Sequence, residues 1–272
     1  MKIFVENWLS RINMPSKTKN IELFEHIKIQ TNNLCTRRCP NCYFGQKNIS
    51  PDEVWLDDKI VFNLIDQLRI MGYAGRIGFF EINEPLTDPR MLEFIRFAKA
   101  SLPQVFHMLI SNGDLLDKKK FIDLAENGLD KLLVSAYDIE TKHKIQGIIR
   151  QVPDYAGKLE IMDLIDAKFL DNRGGNIDYE YLSVPGEPLQ APCERVHKVM
   201  YVRPSGKVVS CVSDFYEVNE VGDVTESSLL DIWFGEKFQE LRKNLDNCNR
   251  VFSPLCSKCN YPGEGWYYGY NF

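Results

Sequence analysis

The sequence predicts an α/β fold organised on a parallel sheet. Short apolar runs alternate with longer stretches of helical apolar spacing from residue 25 to residue 135, the pattern of repeated βαβ units. The loops that follow the runs gather cysteines and polar residues. Sheets of this kind bind ligands at the carboxyl ends of their strands, so those loops are where function is expected.

In chain order, residues 1–25 are too few for a domain of their own, and Pro15 to Asn20 reads as a connection. The first strand is expected at Glu25–Thr31 and delivers a loop that runs to about Pro51. A helix over Leu56–Gly72 carries Ile60, Leu64, Leu68 and Met71 on one face and ends at a glycine. There follow a strand Arg76–Glu81, a helix Pro89–Leu102, a strand Val105–Ile110, a helix Lys118–Asn127 and a strand Lys131–Ser135. Ile139–Leu182 shows no clear pattern, and its His143 is expected to be solvated. Three prolines between Val184 and Pro192 then mark a linker. Beyond it, Tyr201–Ser210 alternates around Pro204-Ser205-Gly206 as a hairpin, and Leu229–Leu245 has a helical apolar set that puts Trp233 in the core. The expected division is an extension over 1–25, a core over 26–183 and a small hairpin-plus-helix unit over 184–272.

Composition narrows the function classes. A chain of 272 residues with net charge −5 has no polyelectrolyte signature, which disfavours nucleic acid as its partner. No run has the apolar length of a membrane span and the N-terminus lacks a signal-peptide core, so a cytoplasmic location is expected. In that reducing setting eight cysteines read as metal ligands or catalytic groups rather than disulfides.

Seven of the eight fall into two sets. Cys35, Cys39 and Cys42 are spaced C-x3-C-x2-C. Structural zinc takes four protein ligands, whereas a cubane cluster takes one thiolate per iron, so three cysteines leave one iron open to a cofactor or substrate. A zinc knuckle is the plain alternative. Cys193, Cys211, Cys256 and Cys259 make four ligands, a complete set for either zinc or a cluster. Two polar loops follow the second and third strands, Ile82-Asn83-Glu84-Pro85-Leu86 and Ser111-Asn112-Gly113-Asp114. Asp171-Asn172-Arg173-Gly174-Gly175-Asn176 pairs glycines, which permit a tight backbone, with an arginine that can present a forked donor set to a hydroxyl or carboxylate; a surface turn is the plain reading.

The C-x3-C-x2-C loop after a first strand, followed by Asn83-Glu84-Pro85, resembles the radical S-adenosylmethionine (radical SAM) superfamily. The resemblance implies a partial (β/α)6 barrel and a [4Fe-4S] cluster on Cys35, Cys39 and Cys42 whose open iron chelates SAM. Cleavage of SAM would then release a 5'-deoxyadenosyl radical. It also implies SAM contacts from Asn83, Glu84, Ser111, Asn112 and Ser135, with adenine stacking passed to Tyr43 because Asn41 stands where an aromatic usually precedes the last cysteine. Asn83 itself replaces the second glycine of the usual Gly-Gly-Glu-Pro. The order C-x12-G-x4-C, Asp-Ile-Trp, C-x2-C is similar to the Twitch form of the SPASM module, which implies a second, auxiliary [4Fe-4S] cluster on Cys193, Cys211, Cys256 and Cys259, with Asp214 as a nearby tuning residue.

Within the family the likeness over Lys28–Asn260 is to aminocyclitol dehydrogenases. It implies oxidation of a small-molecule alcohol to a ketone, with Arg173 at the substrate, the auxiliary cluster as electron acceptor and a flavodoxin- or ferredoxin-type donor. Ile110 and Ser213 stand where such an enzyme has a substrate-contacting tyrosine and glutamate, so a different substrate is expected. Cys248, outside both sets, opens an alternative in which a thiol returns a hydrogen atom in a radical epimerase. Modification of a ribosomal peptide and a zinc-stapled binding protein are the other readings. The aromatic tail from Tyr261 to Phe272 suits packing over the second cluster or stacking on a sugar.

Overall fold

The computed structural model describes residues 22–40, 42–45, 52–165, 171–177 and 188–261. Residues 1–21 of the expected extension, Asn41, the first part of the proline-rich linker and the tail from Pro262 onward lie outside the described residues.

Among the described residues six strands run parallel: β1 (His26–Ile29), β2 (Arg76–Gly78), β3 (Phe106–Ser111), β4 (Lys131–Ala136), β5 (Leu159–Asp163) and β6 (Val199–Val202). β7 (Lys207–Val209) turns back antiparallel on β6, and β8 (Glu220–Asp223) pairs antiparallel with β7. The sheet order is β5-β4-β3-β2-β1-β6-β7-β8. The expected hairpin is therefore present, but it is no separate sheet, because β6 lies parallel to β1 with His26 opposite Val199 and Ile29 opposite Val202.

Four helices follow the strands of the first half: α1 (Asp58–Ile70), α2 (Met91–Ser101), α3 (Lys118–Glu126) and α4 (Ile139–Gln151). Aspartates begin three of them. Asp57, Asp117 and Asp138 accept backbone N–H groups of the first turns of α1, α3 and α4, satisfying donors that would otherwise be orphaned. On α1 the buried stripe is Val61, Leu64, Ile65 and Leu68, one face at i, i+3, i+4 and i+7. Ile60, expected on that face, is rotated to its edge and packs against the core from a half-buried position. His143 is exposed, as its surroundings in sequence suggest.

The second half holds a short α5 (Arg195–Lys198), α6 (Leu229–Trp233) and α7 (Glu236–Asp246). The single helix expected over Leu229–Leu245 is thus two, broken at Phe234-Gly235. Gly235 is extended at ψ 161°, and a Cβ there would lie 2.6 Å from the Asp231 carbonyl oxygen. The buried Arg242 side chain fixes the break by donating to the Trp233 carbonyl at 2.6 Å and lying over the Trp233 ring. Trp233 is fully buried against Phe24 and Phe238, and its indole N–H donates to the Glu22 carbonyl. The larger of two apolar clusters among the described residues runs through both halves. Among the described residues no helix is long and apolar enough to cross a membrane.

Candidate active site

The carboxyl ends of β1 to β4 open into a cavity of about 150 Å3. Cys35, Cys39 and Cys42 line it, together with Asn83 and Glu84 after β2, Ser111 and Asn112 at the end of β3, Ser135 in β4 and Arg173 from the paired-glycine turn. Nine of the residues singled out in the sequence thus meet in one place. They come from five segments spread over 139 positions, brought together only because the strands are parallel and neighbouring.

The cysteine loop is held by hydrogen bonds it receives from elsewhere. Arg37 grips both carboxylate oxygens of Asp114, donates to Thr141 Oγ1 at 2.9 Å and pairs with Asp138 at 3.0 Å, which joins the loop to the turn after β3 and to the start of α4. The Asp114 partnership holds the Arg37 guanidinium well above its ordinary range and the Asp114 carboxyl below its own. Gly45 allows the loop to turn back on itself, since a Cβ there would sit 1.9 Å from the Cys39 carbonyl oxygen. Arg37 was not singled out in the sequence; an arginine two residues after the first cysteine carries no signal until its acidic partners are located.

Glu84 acts as a clasp between strands. Its Oε1 accepts from Leu86 N–H at 3.0 Å and Ser111 Oγ at 2.8 Å, and its Oε2 accepts from Asn112 N–H at 2.7 Å. Burial pushes its carboxyl up, against the pull of these donors. Asn83 turns its amide into the protein, accepting from Glu81 N–H and donating to Asn32 Oδ1. Asn112 Nδ2 donates to Thr36 Oγ1 and reaches Cys35 Sγ at 3.8 Å. Tyr43 does not line the cavity; its ring packs edge-on to Phe215, which does.

A second, smaller cavity is lined by Cys193, Cys211, Cys256 and Cys259. The two cavities adjoin through consecutive residues: Arg173 faces the first and Gly174 the second, while Val212 faces the first with Cys211 and Ser213 on the second. The turn carrying Arg173 is seated on the last cysteine loop. Asn172 N–H donates to Asn260 Oδ1 and its Nδ2 to the Lys258 carbonyl, both at 2.6 Å, and Asn176 Nδ2 donates to the Ser213 carbonyl at 2.7 Å. Gly174 takes φ 66°, and a Cβ on it would come 2.3 Å from Leu255 Cδ1, so the close approach requires glycine.

Both cysteine sets are chemically suited to hold iron. Burial pushes the Cys35 and Cys256 thiols up to about 11 and Cys259 to about 12. Buried thiols become thiolates when a metal takes the proton's place, and donors already point at the sulfurs to meet that charge. Arg37 N–H reaches Cys35 Sγ, Ser213 N–H reaches Cys211 Sγ and Tyr261 N–H reaches Cys259 Sγ, each at 3.4 Å. Asn219 Nδ2 lies 3.7 Å from Cys256 Sγ. Asp214, fully buried, orients that neighbourhood by accepting the N–H groups of Val218 and Asn219, both at 2.8 Å.

Arg250 is the principal second-cavity residue that sequence reasoning did not find. It is buried and donates to the carbonyls of Ala191, Pro192 and Tyr261, tying the segment before Cys193 to the one after Cys259. Cys248 is half-buried in the turn after α7 at φ 59°, and it is not among the residues lining either cavity.

The comparisons with known proteins decide the family. Residues 29–190 match the radical SAM superfamily and residues 193–260 match SPASM, an iron-sulfur cluster-binding domain. The chain belongs to the radical SAM superfamily. It is 30% identical over 244 residues, 88% of this chain and 94% of the relative, to the S-adenosyl-L-methionine-dependent 2-deoxy-scyllo-inosamine dehydrogenase of Niallia circulans. Its fold is similar to the crystal structure of BtrN in complex with AdoMet and 2-DOIA, with a TM-score of 0.79 and 28% identity, covering 92% of this chain and 98% of that one. Native anSMEcpe with bound AdoMet shares the fold at a TM-score of 0.55 and 14% identity, over 82% of this chain and 84% of that one. This radical SAM protein is accordingly an oxidoreductase of a family that uses iron-sulfur clusters and SAM, and the expected α/β radical SAM fold is the one observed.

Proposed function

We propose that this radical SAM enzyme oxidises an alcohol of a small aminocyclitol or sugar-like substrate to a ketone. Cys35, Cys39 and Cys42 would hold a [4Fe-4S] cluster that binds SAM, and Cys193, Cys211, Cys256 and Cys259 a second [4Fe-4S] cluster. When bound, the first cluster with SAM supplies a 5'-deoxyadenosyl radical and the second an electron sink.

The observation that carries the reading is the shared wall between the cavities. Arg173 lines the first cavity while its neighbour Gly174 lines the second, so a substrate held by Arg173 would lie beside the second cysteine set. That adjacency suits removal of an electron from the substrate, and the extent of likeness to a dehydrogenase supports the same chemistry. Arg173 would orient a substrate oxygen with its forked donors. Glu84, through its three accepted bonds, keeps the ends of β2 and β3 in register around the SAM site, and Asn112 holds the cysteine loop to β3. Ile110 gives the cavity an apolar wall in place of a polar one.

The test is anaerobic reconstitution with iron and sulfide, followed by incubation with SAM, a flavodoxin-type donor and 2-deoxy-scyllo-inosamine in deuterated solvent. Oxidation yields 5'-deoxyadenosine and a product two hydrogens lighter. An isomeric product carrying solvent deuterium would replace this reading with epimerisation.

A further inference from the structure

Oxidation of an alcohol to a ketone takes two hydrogens from it. One leaves as an atom to the 5'-deoxyadenosyl carbon; the other leaves as a proton to water and an electron to an iron-sulfur acceptor. At the second cysteine set that electron adds negative charge to a group already ringed by thiolates, so a fixed cation at the sulfurs bears directly on its uptake.

Arg195 supplies such a cation. It follows Cys193 by two positions, is half-buried and lines the second cavity. Its Nη1 donates to Cys211 Sγ at 3.6 Å. Cys211 stands on the wall between the cavities, since the next residue, Val212, lines the first one. The Arg195 guanidinium also lies over the Tyr261 ring, its central carbon 3.6 Å from the ring centre. Such stacking suits a planar, weakly hydrated guanidinium and fixes its plane. Tyr261 is in turn held in place. It is buried, its N–H donates to Cys259 Sγ at 3.4 Å and its carbonyl accepts from Arg250 at 2.8 Å. The cation is therefore positioned by the ring on which it stacks and the sulfur to which it donates.

Two other arginines near the cysteines are placed differently. Arg250 lines the same cavity but directs its donors at the carbonyls of Ala191, Pro192 and Tyr261, which makes it scaffold. At the first set Arg37 pairs its guanidinium with Asp114 and Asp138 and reaches Cys35 Sγ with its backbone N–H.

We propose that Arg195 tunes the second cysteine set for electron uptake, its guanidinium at Cys211 Sγ favouring the state that carries the additional electron. It touches no reacting atom and acts through Cys211, as a positioning residue. This role rests on the reading above, in which the second set holds a [4Fe-4S] cluster that accepts the electron.

The experiment measures the reduction potential of that cluster by anaerobic titration followed by electron paramagnetic resonance. One background is the full chain with Cys35→Ala, Cys39→Ala and Cys42→Ala, where the remaining signal belongs to the second set. The other is the intact enzyme, where the second set gives the signal that SAM leaves unmoved. Arg195→Gln removes the charge, so the ratio of reduced to oxidised cluster at a fixed applied potential should fall about tenfold, a shift of about 59 mV for a one-electron couple. Arg195→Lys keeps the charge without the planar stack and should lie between Arg195→Gln and wild type. Iron and sulfide should stay at the wild-type level in both. Arg195→Met, also uncharged, serves if the Gln variant folds poorly. An unchanged potential in a neutral variant with its full iron overturns the role of Arg195 alone. So does loss of second-set iron from both neutral variants, which would make Arg195 a structural residue. Wild type that takes up iron for one cluster only, or zinc in the second set, overturns the two-cluster reading and this role with it.

Discussion

Replacing Arg250 by lysine tests how the second cysteine set is assembled. Arg250 reaches four backbone carbonyls: Ala191 at 2.7 Å, Tyr261 at 2.8 Å, Pro192 at 3.0 Å and, more weakly, Cys259 at 3.4 Å. Its side chain is essentially sealed from solvent, at 1% exposure, and its bond to the Tyr261 carbonyl is buried, while those to Ala191 and Pro192 are partly buried. Lysine keeps the charge but offers its donors from one nitrogen, which cannot span acceptors on both sides of the guanidinium plane. Losing the buried bond leaves the Tyr261 carbonyl unpaired, so Arg250→Lys should lose about 1–3 kcal/mol. Because the bonds hold the segment before Cys193 to the one after Cys259, iron bound by the second set should fall in parallel while the first set keeps its own. Urea unfolding of the metal-free protein and iron and sulfide analysis after anaerobic reconstitution read the two effects separately. A variant within 1 kcal/mol of wild type with undiminished iron would refute this account of the second cavity.

Three further outcomes follow from particular residues. Gly174→Ala places a Cβ at φ 66° against Leu255, which should cost about 1–3 kcal/mol and lower the thermal midpoint measurably in a scanning experiment. Cys256→Ala should remove about half of the bound iron yet leave SAM cleavage to 5'-deoxyadenosine in place, whereas Cys35→Ala should abolish that cleavage. Burial, aided by Lys28 and Arg76, holds the His26 imidazole well below its ordinary range, and burial lowers His107 as well. A histidine whose folded pKa is depressed is neutral in the native state and protonated on unfolding, so stability is retained above about pH 6.5 and lost below it at about 1.4 kcal/mol per pH unit for each such histidine. Denaturant titrations between pH 7 and pH 5 should show this decline, and His26→Gln should flatten it.

Much of this molecule is legible in the chain because the relevant signals are local. The helical stripe of Leu64 and Leu68 and the C-x3-C-x2-C spacing are each set within a few residues. Periodicity failed where tertiary contacts overrode it. Apolar spacing from Leu229 to Leu245 continues without interruption, yet Gly235 and the bond from Arg242 to Trp233 divide it into two helices. Likewise β8 offers only four residues, half-buried apart from Val221, and exists because β7 presents an edge to pair with.

The sequence by itself determined which residues could hold iron, since thiol chemistry and spacing are properties of neighbours along the chain. Only the tertiary structure decided that the two sets share a wall. That fact depends on β6 lying parallel beside β1 and on the Asn172-to-Asn176 turn seating against the last cysteine loop, contacts between residues 86 or more positions apart for Asn172. The same holds for Arg37, Arg195 and Arg250. An isolated arginine is most often a solvated side chain, and what distinguishes these is the set of partners that burial and topology bring to them.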